Sequence, residues 1–295
     1  MIAGAWSGGA YLAHAAPLKD ADSCTSGADL FKLVIRMPVT IIEETEIHYL
    51  TRKPAAGLGR QRVLYIHGTG CNGRVFERHM DVLGSDHEVV AIDLPGHGAS
   101  AGNGFRGVAD HAAICAGLIH DLGWDRCVVA GHSLGGGIAL ALAIYDAELV
   151  QALMLIDTGA RLRVAPEIIR GARAIAQGTR DAPTNPRLGF AASTPDSIVE
   201  GVRQLTADCR AEVTVKDWIA DDTCDFMSRV ATIDVPTLAI CGREDQLTPL
   251  RNHTFFEERM ADCTLKIIEQ AGHWPYAEQP GIFDSHVSEF LAGLN

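Results

Sequence analysis

The stretch Cys127-Val-Val-Ala-Gly-His-Ser-Leu-Gly-Gly-Gly-Ile-Ala-Leu-Ala-Leu-Ala-Ile-Tyr145 holds the residues with the clearest chemical potential. An apolar run from Cys127 to Ala130 enters Gly131-His132-Ser133-Leu134-Gly135, and a small-residue helix is predicted to leave it, over Leu134 to Tyr145. A serine between two glycines at a strand-to-helix turn is a nucleophile elbow. The glycines are needed because the backbone is strained there and the strand and helix approach closely. The helix N-terminus beneath Ser133 offers free N–H groups to developing negative charge. A serine hydroxyl attacks a carbonyl carbon only when a base takes its proton and an acid orients that base. Histidine suits the base near neutral pH, and the chain has twelve. Without such partners the motif would be a glycine-rich turn with a solvated serine.

The elements that must position these groups alternate along the chain. Phe31 to Ile35 and Val39 to Thr51 read as an opening antiparallel pair of strands. Arg62 to Ile66 is a short, buried apolar strand ending in His67-Gly68-Thr69-Gly70, followed by a predicted helix over Gly73 to Leu83. Glu88 to Ile92 is the next strand, ending in Asp93-Leu-Pro-Gly-His-Gly-Ala-Ser100, and Val108 to Asp121 has helical periodicity. After the elbow, Val150 to Ile156 is a strand ending in Asp157. From Ala160 to about Thr232 only helices are predicted, over Ala165 to Gln177, Thr194 to Asp208 and Val215 to Val230. The alternation resumes with Val235 to Cys241, ending in Gly242-Arg-Glu-Asp245, a helix over Pro249 to Met260, a strand over Thr264 to Glu269 ending in Ala271-Gly272-His273, and a helix over Gly281 to Leu294. Such alternation implies right-handed crossovers and a mostly parallel sheet. The helical interruption is too long and too periodic for a loop and reads as a cap over the active face.

With these motifs in hand, the chain resembles the α/β-hydrolase superfamily from about Val39 to its C-terminus. The resemblance rests on His67-Gly68, Asp93-Leu-Pro-Gly-His-Gly-Ala-Ser100, Gly131-His-Ser-Leu-Gly135, Gly242-Arg-Glu-Asp245 and Gly272-His273, in the superfamily's order of nucleophile, acid and histidine. Each follows a predicted strand, so all gather at the C-terminal edge of the sheet. The resemblance implies an α/β-hydrolase fold, a mostly parallel central sheet flanked by helices with a helical cap. It divides the chain into an N-terminal tail (1–30), a core (31–159 and 233–295) and a cap (160–232). His273 is the expected base, since it follows the last strand, and Asp245 the expected acid. Asp157 also ends a sheet strand and competes with Asp245, although an aspartate before Thr158-Gly159 can organise the turn into the cap. The oxyanion needs two backbone donors. Leu134 N–H is one, as the residue after the nucleophile, and the resemblance assigns the other to Thr69 N–H. His67, His97 and His132 are expected to be structural, and Asp93 to organise its loop.

The resemblance narrows further by what is missing. His67-Gly-Thr-Gly70 stands where lipases carry His-Gly-Gly-Gly, and the Ser-x-Gly-Pro-Gly loop and Asn-Ser-Met elbow of ring-cleavage C–C hydrolases are absent. A serine nucleophile argues against epoxide hydrolases and haloalkane dehalogenases, which use a carboxylate. Lactonases, small-ester carboxylesterases and serine haloperoxidase-like proteins remain compatible. The expected reaction is hydrolysis of an ester-like bond in a small or medium apolar substrate through an acyl-enzyme. A C–C hydrolase or cofactor-free lyase or oxygenase on the same scaffold is the alternative, and a non-enzymatic ligand-binding protein the third reading. Trp218, Phe226 and Trp274 are candidate pocket residues; Leu162, Ile168, Phe190 and Met227 line the pocket or pack the cap. Arg161 and Arg163 would meet a substrate carboxylate or, more commonly, a salt-bridge partner.

Bulk properties set outer limits. With 295 residues, 47% of them apolar, the chain can bury a large core. Its net charge of -12 argues against nucleic acid or an anionic membrane as partner, and leaves a small-molecule substrate. No His/Cys/Asp cluster has metal-ligand spacing in sequence, so neither metal nor cofactor is expected. The eight cysteines form no C-x-x-C pair, and Cys127, Cys241 and Cys263 fall in predicted strands, which reads as a reduced, cytoplasmic protein. Cys209 and Cys224 are the pair that could approach. In the tail, Ala13-His14-Ala15 imitates a cleavage site, but no basic residue precedes it and Ser7-Gly8-Gly9 breaks the apolar run.

Overall fold

The computed structural model describes residues 38–55, 59–180 and 187–294. The strands are β1 (Val39–Ile42), β2 (Thr45–Arg52), β3 (Arg62–Ile66), β4 (Glu88–Ile92), β5 (Cys127–His132), β6 (Val150–Ile156), β7 (Thr237–Gly242) and β8 (Cys263–Ile268). They form one sheet in the order β1-β2-β4-β3-β5-β6-β7-β8. β1 and β2 pair antiparallel, β2 is antiparallel to β4, and every later pairing is parallel. The helices are α1 (Glu77–Leu83), α2 (Val108–Asp121), α3 (Leu134–Tyr145), α4 (Pro166–Ala176), α5 (Asp196–Thr206), α6 (Ala211–Thr223), α7 (Leu250–Arg259), α8 (Pro275–Glu278) and α9 (Pro280–Gly293).

The strands read as continuous apolar runs because both faces of the sheet are covered. Side chains alternate across a strand. Leu64, Ile66, Val90, Ile92, Val129, Leu153 and Leu155 therefore join a core with α2, α3 and Phe256 of α7. Their neighbours Val63, Tyr65, Val89, Ala91, Val128, Ala130, Met154 and Ile156 join a second core with Met80 of α1 and Phe283, Val287 and Leu291 of α9. Helices α4, α5 and α6 lie between β6 and β7 in the chain. Among them, α4 packs on α6, α6 reaches α3, and α5 meets α8. No helix among the described residues is long and apolar enough to cross a membrane.

Three expectations change. The run Val39 to Thr51 is not one strand but the hairpin of β1 and β2, turning at Glu43 and Glu44 with φ of 47° and 63°. Two left-handed residues are what a tight hairpin turn needs, but neither is the Gly, Asn or Asp that advertises one. The predicted Phe31 to Ile35 strand and the 1–30 tail lie outside the described residues. Helix α6 starts at Ala211 and stops at Thr223, short of the predicted end at Val230. Beyond it, Cys224 O accepts from Leu162 N–H, Phe226 N–H donates to Ala160 O, and Arg161 bridges Asp225 as an antiparallel pair. These tertiary pairings take the backbone groups that a longer helix would use. Helix α8, opened by Pro275 at its first turn, was not expected.

Candidate active site

Ser133 sits at the turn between β5 and α3 with φ 54° and ψ -119°, a backbone conformation that costs a non-glycine residue about 1–3 kcal/mol. Long-range bonds hold it there. Its N–H donates to Ile156 O at 3.0 Å, and its carbonyl accepts from Gly136 N–H at 2.9 Å and Thr158 Oγ1 at 2.7 Å. The surroundings leave no space for larger neighbours. A Cβ at Gly135 would lie 2.1 Å from Ile66 O, and one at Gly68 would lie 2.9 Å from Ser133 Cβ. The loop after β3 is thus pressed against the elbow.

His273, after β8, is 3% exposed. Its Nδ1 lies 2.9 Å from Asp245 Oδ2, after β7. Thr248 Oγ1 donates to the same oxygen at 2.6 Å, and Leu247 and Thr248 N–H donate to Oδ1 at 2.7 and 3.1 Å. Burial opposes ionisation of Asp245, but the charge of His273 and the hydrogen bonds from His273 and Thr248 hold its carboxyl well below the usual range. An ionised Asp245 requires the proton of a neutral His273 to sit on Nδ1, which leaves Nε2 as the free base. His132, beside Ser133, places its ring 4.7 Å from that of His273 and donates from Nε2 to His273 O at 2.7 Å. Burial and the charge of His273 push the pKa of His132 well below the usual range, so it acts as a neutral brace.

Asp157 is fully buried near the same pair but bonds differently. Its Oδ1 accepts from Gly242 N–H at 2.9 Å, tying the end of β6 to the end of β7 rather than organising its own turn. Burial and the charge of Asp245 raise its pKa well above the usual range. Asp245, not Asp157, bonds the imidazole.

Glu278 was not expected in the site. Its Oε1 accepts from Gly272 N–H at 2.9 Å and Trp274 N–H at 3.0 Å, the residues on either side of His273. Its Oε2 accepts from Ala191 N–H at 2.8 Å and from the Thr194 hydroxyl, both in the segment between β6 and β7. Glu278→Gln would turn an NH₂ toward two of these donors. It is expected to lower stability by about 2–3 kcal/mol in urea unfolding, the cost of lost hydrogen bonds to a charged acceptor.

The loop Thr69-Gly70 has a second set of unexpected partners on α6. Asp221 Oδ2 accepts from Thr69 Oγ1 at 2.6 Å, and Asp217 Oδ2 accepts from Gly70 N–H at 2.9 Å. Asp217 Oδ2 also accepts from His97 Nε2 at 2.8 Å, while His97 Nδ1 faces Pro95 O at 3.2 Å. With an acceptor at each ring nitrogen, His97 is held as an imidazolium. Burial works against that charge, but the bonds to Asp217 and Cys209 lift its pKa to about 10. Burial raises Asp217 as well, and the His97 bond and charge outweigh it. Asp221 has no such counter-charge. Burial, with the charges of Asp217 and Asp222, lifts it to about 8 despite the Thr69 bond. The signal for both acids was in the sequence: Val213, Asp217, Ala220 and Asp221 share the buried stripe of α6.

The remaining polar residues organise loops. His67 Nδ1–H donates to Gly68 O at 2.9 Å and its Nε2 accepts from Leu94 N–H at 3.1 Å. Burial and the charge of His97 lower it to about 3, so it stays neutral. Asp93 accepts from Gly73 N–H, Ala99 N–H and His48 at 2.7–3.0 Å. Donor atoms of His97, Cys209 and Asp217 lie within 4.8 Å of one another, as do those of Asp157, Cys241 and His253 and of Asp157, Asp245 and His273. In the first and last groups a histidine–carboxylate hydrogen bond accounts for the closeness without an ion. Cys209 and Cys224 are free thiols.

The candidate pocket residues separate. Trp274 lies beside His273, with ring centres 5.8 Å apart, and stacks on Phe190 at 6.0 Å. Phe226 does not join them: it packs in the core with Leu162 and meets Tyr145 at the far end of α3. The extended backbone after α6 carries it there. Trp218 is half-buried on α6. Ile168 and Met227 are exposed. Arg161 and Arg163 both pair with Asp225, the first at 2.7 Å and the second at 3.7 Å.

Comparison with known proteins supports the same architecture. The chain is 28% identical over 247 residues to a pimeloyl-[acyl-carrier protein] methyl ester esterase of Neisseria meningitidis, covering 79% of this chain and 93% of the relative. It is 28% identical over 276 residues to a 2-hydroxy-6-oxononadienedioate/2-hydroxy-6-oxononatrienedioate hydrolase of Burkholderia vietnamiensis, covering 86% and 94%. The solved structure of a thermophilic esterase from Thermogutta terrifontis superposes with a TM-score of 0.76 at 24% identity, over 88% of this chain and 97% of that one. The model of the alpha/beta hydrolase family matches residues 63–284, from β3 through the elbow and into α9. A match of that extent, on a sheet with this strand order and an elbow serine at its centre, makes the chain a member of the alpha/beta hydrolase family and a hydrolase.

Proposed function

We infer that this hydrolase cleaves an ester-like bond of a small or medium apolar substrate through an acyl-enzyme. The observation that supports the reading most is the 2.9 Å bond between His273 Nδ1 and the buried Asp245, at strand ends beside the elbow that carries Ser133. In this mechanism His273 Nε2 takes the hydroxyl proton as Ser133 Oγ attacks the carbonyl carbon. The C=O π pair moves onto oxygen, where the N–H groups of Leu134 and Thr69 receive it. Leu134 is the first residue of α3, so its N–H has no intrahelical acceptor. Among the described residues Thr69 N–H donates to no acceptor either. Collapse of the intermediate expels the alcohol, which takes the proton from His273. Water, deprotonated by the same nitrogen, then attacks the acyl-enzyme and releases the acid and Ser133.

The segment between β6 and β7 serves as the cap in this reading, with Phe190 stacked on Trp274 as apolar surface beside His273. Cys127 and Cys241 lie in strands as small apolar side chains, which fits a reducing, cytoplasmic setting. The test is a fluorophosphonate label followed by a panel of p-nitrophenyl esters of increasing chain length beside lactones. Labelling at Ser133 and a burst of p-nitrophenol on short or medium esters is the expected result. An unlabelled Ser133 with no ester turnover would reject the reading. The likeness to the Burkholderia hydrolase over 86% of this chain favours C–C bond hydrolysis as the second reading. A vinylogous 1,5-diketone acid turned over in preference to every ester would select it.

A further inference from the structure

We propose that Asp217 and Asp221 are positioning residues for the oxyanion hole, so that the inserted segment helps to build the reaction centre as well as cover it. The proposal rests on the serine-hydrolase reading above, in which Thr69 N–H is an oxyanion donor.

The loop after β3 is poorly held by its own backbone. Among the described residues its one backbone–backbone bond around the turn is Cys71 N–H to Gly68 O at 3.1 Å, to which the His67 ring adds a bond to Gly68 O at 2.9 Å and the Cys71 thiol a long one to Thr69 O at 3.4 Å. Gly70 lies in the left-handed region at φ 67°, so its conformation depends on outside contacts. On one side Gly68 stops against Ser133. On the other, Asp221 takes the Thr69 hydroxyl and Asp217 takes Gly70 N–H. The two acids are four residues apart on α6 and so share one face, as their common burial requires. The peptide that carries Thr69 N–H is therefore bracketed between the elbow and the inserted helix.

The two carboxyls hold the loop by different means. Asp217 is an ionised acceptor shared between Gly70 N–H and the His97 imidazolium, so it links this loop to the loop after β4. Asp221, with a pKa near 8, is neutral at pH 7 and accepts the Thr69 hydroxyl without placing a second full charge beside the oxyanion. An asparagine reproduces that neutral acceptor. Neither acid would touch substrate; both would act through Thr69 and Gly70. Oxyanion donors work only when placed on the developing charge, and losing one costs on the order of 10²–10³ in kcat.

The experiment compares Asp221→Ala, Asp221→Asn, Asp217→Ala and Thr69→Val with the unmodified chain on one good ester. Each is measured for kcat, KM and inhibition by a boronic acid, which mimics the tetrahedral oxyanion. Asp221→Ala, Asp217→Ala and Thr69→Val are expected to lower kcat by about 10–10²-fold, as partial loss of one donor would. Boronate affinity should fall by a similar factor, with KM changed little. Asp221→Asn should restore most of kcat. The Asp221→Ala/Thr69→Val double variant should lose no more than either single one, because both remove the same bond. Folded Asp221→Ala, Asp217→Ala and Thr69→Val variants within about threefold of wild type in kcat and boronate affinity would overturn the proposal; so would a double variant whose losses multiply. If the alanine variants fail to fold, Thr69→Val decides by the same criterion, and an Asp221→Asn that loses as much kcat as Thr69→Val would also overturn the proposal. Turnover that survives Ser133→Ala would instead remove the parent reading, and this proposal with it.

Discussion

Ser133→Ala is expected to lower kcat by on the order of 10³-fold or more while leaving the thermal transition nearly unchanged. The size follows from the chemistry. In the proposed mechanism no acyl-enzyme forms without Oγ, and only the oxyanion donors and substrate binding would continue to favour the tetrahedral state. The mild effect on stability follows from how the elbow is held. Ser133 is fixed by its own N–H and carbonyl, bonded to Ile156, Gly136 and Thr158, and its side chain has no hydrogen bond to a described residue. Alanine also meets the φ of 54° with a Cβ no larger than that of serine. KM for a p-nitrophenyl ester should stay within a few-fold, because the substrate surface is untouched. Turnover at the wild-type rate in a folded Ser133→Ala chain would exclude Ser133 as nucleophile.

Asp245→Asn is expected to cost on the order of 10²–10⁴ in kcat, with Asp157→Asn far milder. The two acids end neighbouring strands, and their roles differ by what they bond. Asp245 faces His273 Nδ1 at 2.9 Å and takes the Thr248 hydroxyl and two backbone N–H groups besides. An amide there keeps the shape but removes the charge that would stabilise the imidazolium in the proposed mechanism. An NH₂ turned toward Nδ1 would also favour the wrong tautomer, with the proton on Nε2. Asp157 receives Gly242 N–H on Oδ1, a bond that asparagine can retain. Its amide variant should therefore alter stability or KM and spare most of kcat. The measurement is kcat and KM for both variants on the same ester, beside their melting curves. An inactive Asp157→Asn with a nearly wild-type Asp245→Asn would reverse the assignment and leave Ser133 and His273 in place.

Much of this molecule follows from rules that act over a few residues. Apolar runs with alternating faces specify β3 to β8, and the strict strand–helix rhythm specifies a parallel sheet. In such a sheet every strand ends at the same edge, so Ser133, Asp157, Asp245 and His273 had to gather there wherever they stand in the sequence. The elbow was legible for the same reason, since Gly131, Ser133 and Gly135 answer a local steric demand. Other features depend on partners far away in the chain. Which strand-end acid meets His273 is a matter of side-chain direction, decided when Gly242 N–H captures Asp157 and Thr248 helps to hold Asp245. Helix α6 ends early because residues 160–162 pair with the chain beyond it. Glu278 looks like an ordinary acid in a short helix until four donors from two segments converge on it. Asp217 and Asp221 could be recognised as acids on an apolar stripe, but not as partners of Thr69 and Gly70. Hydrogen bonds between distant segments leave no periodicity in a sequence, because each partner obeys only its own local pattern until the chain closes.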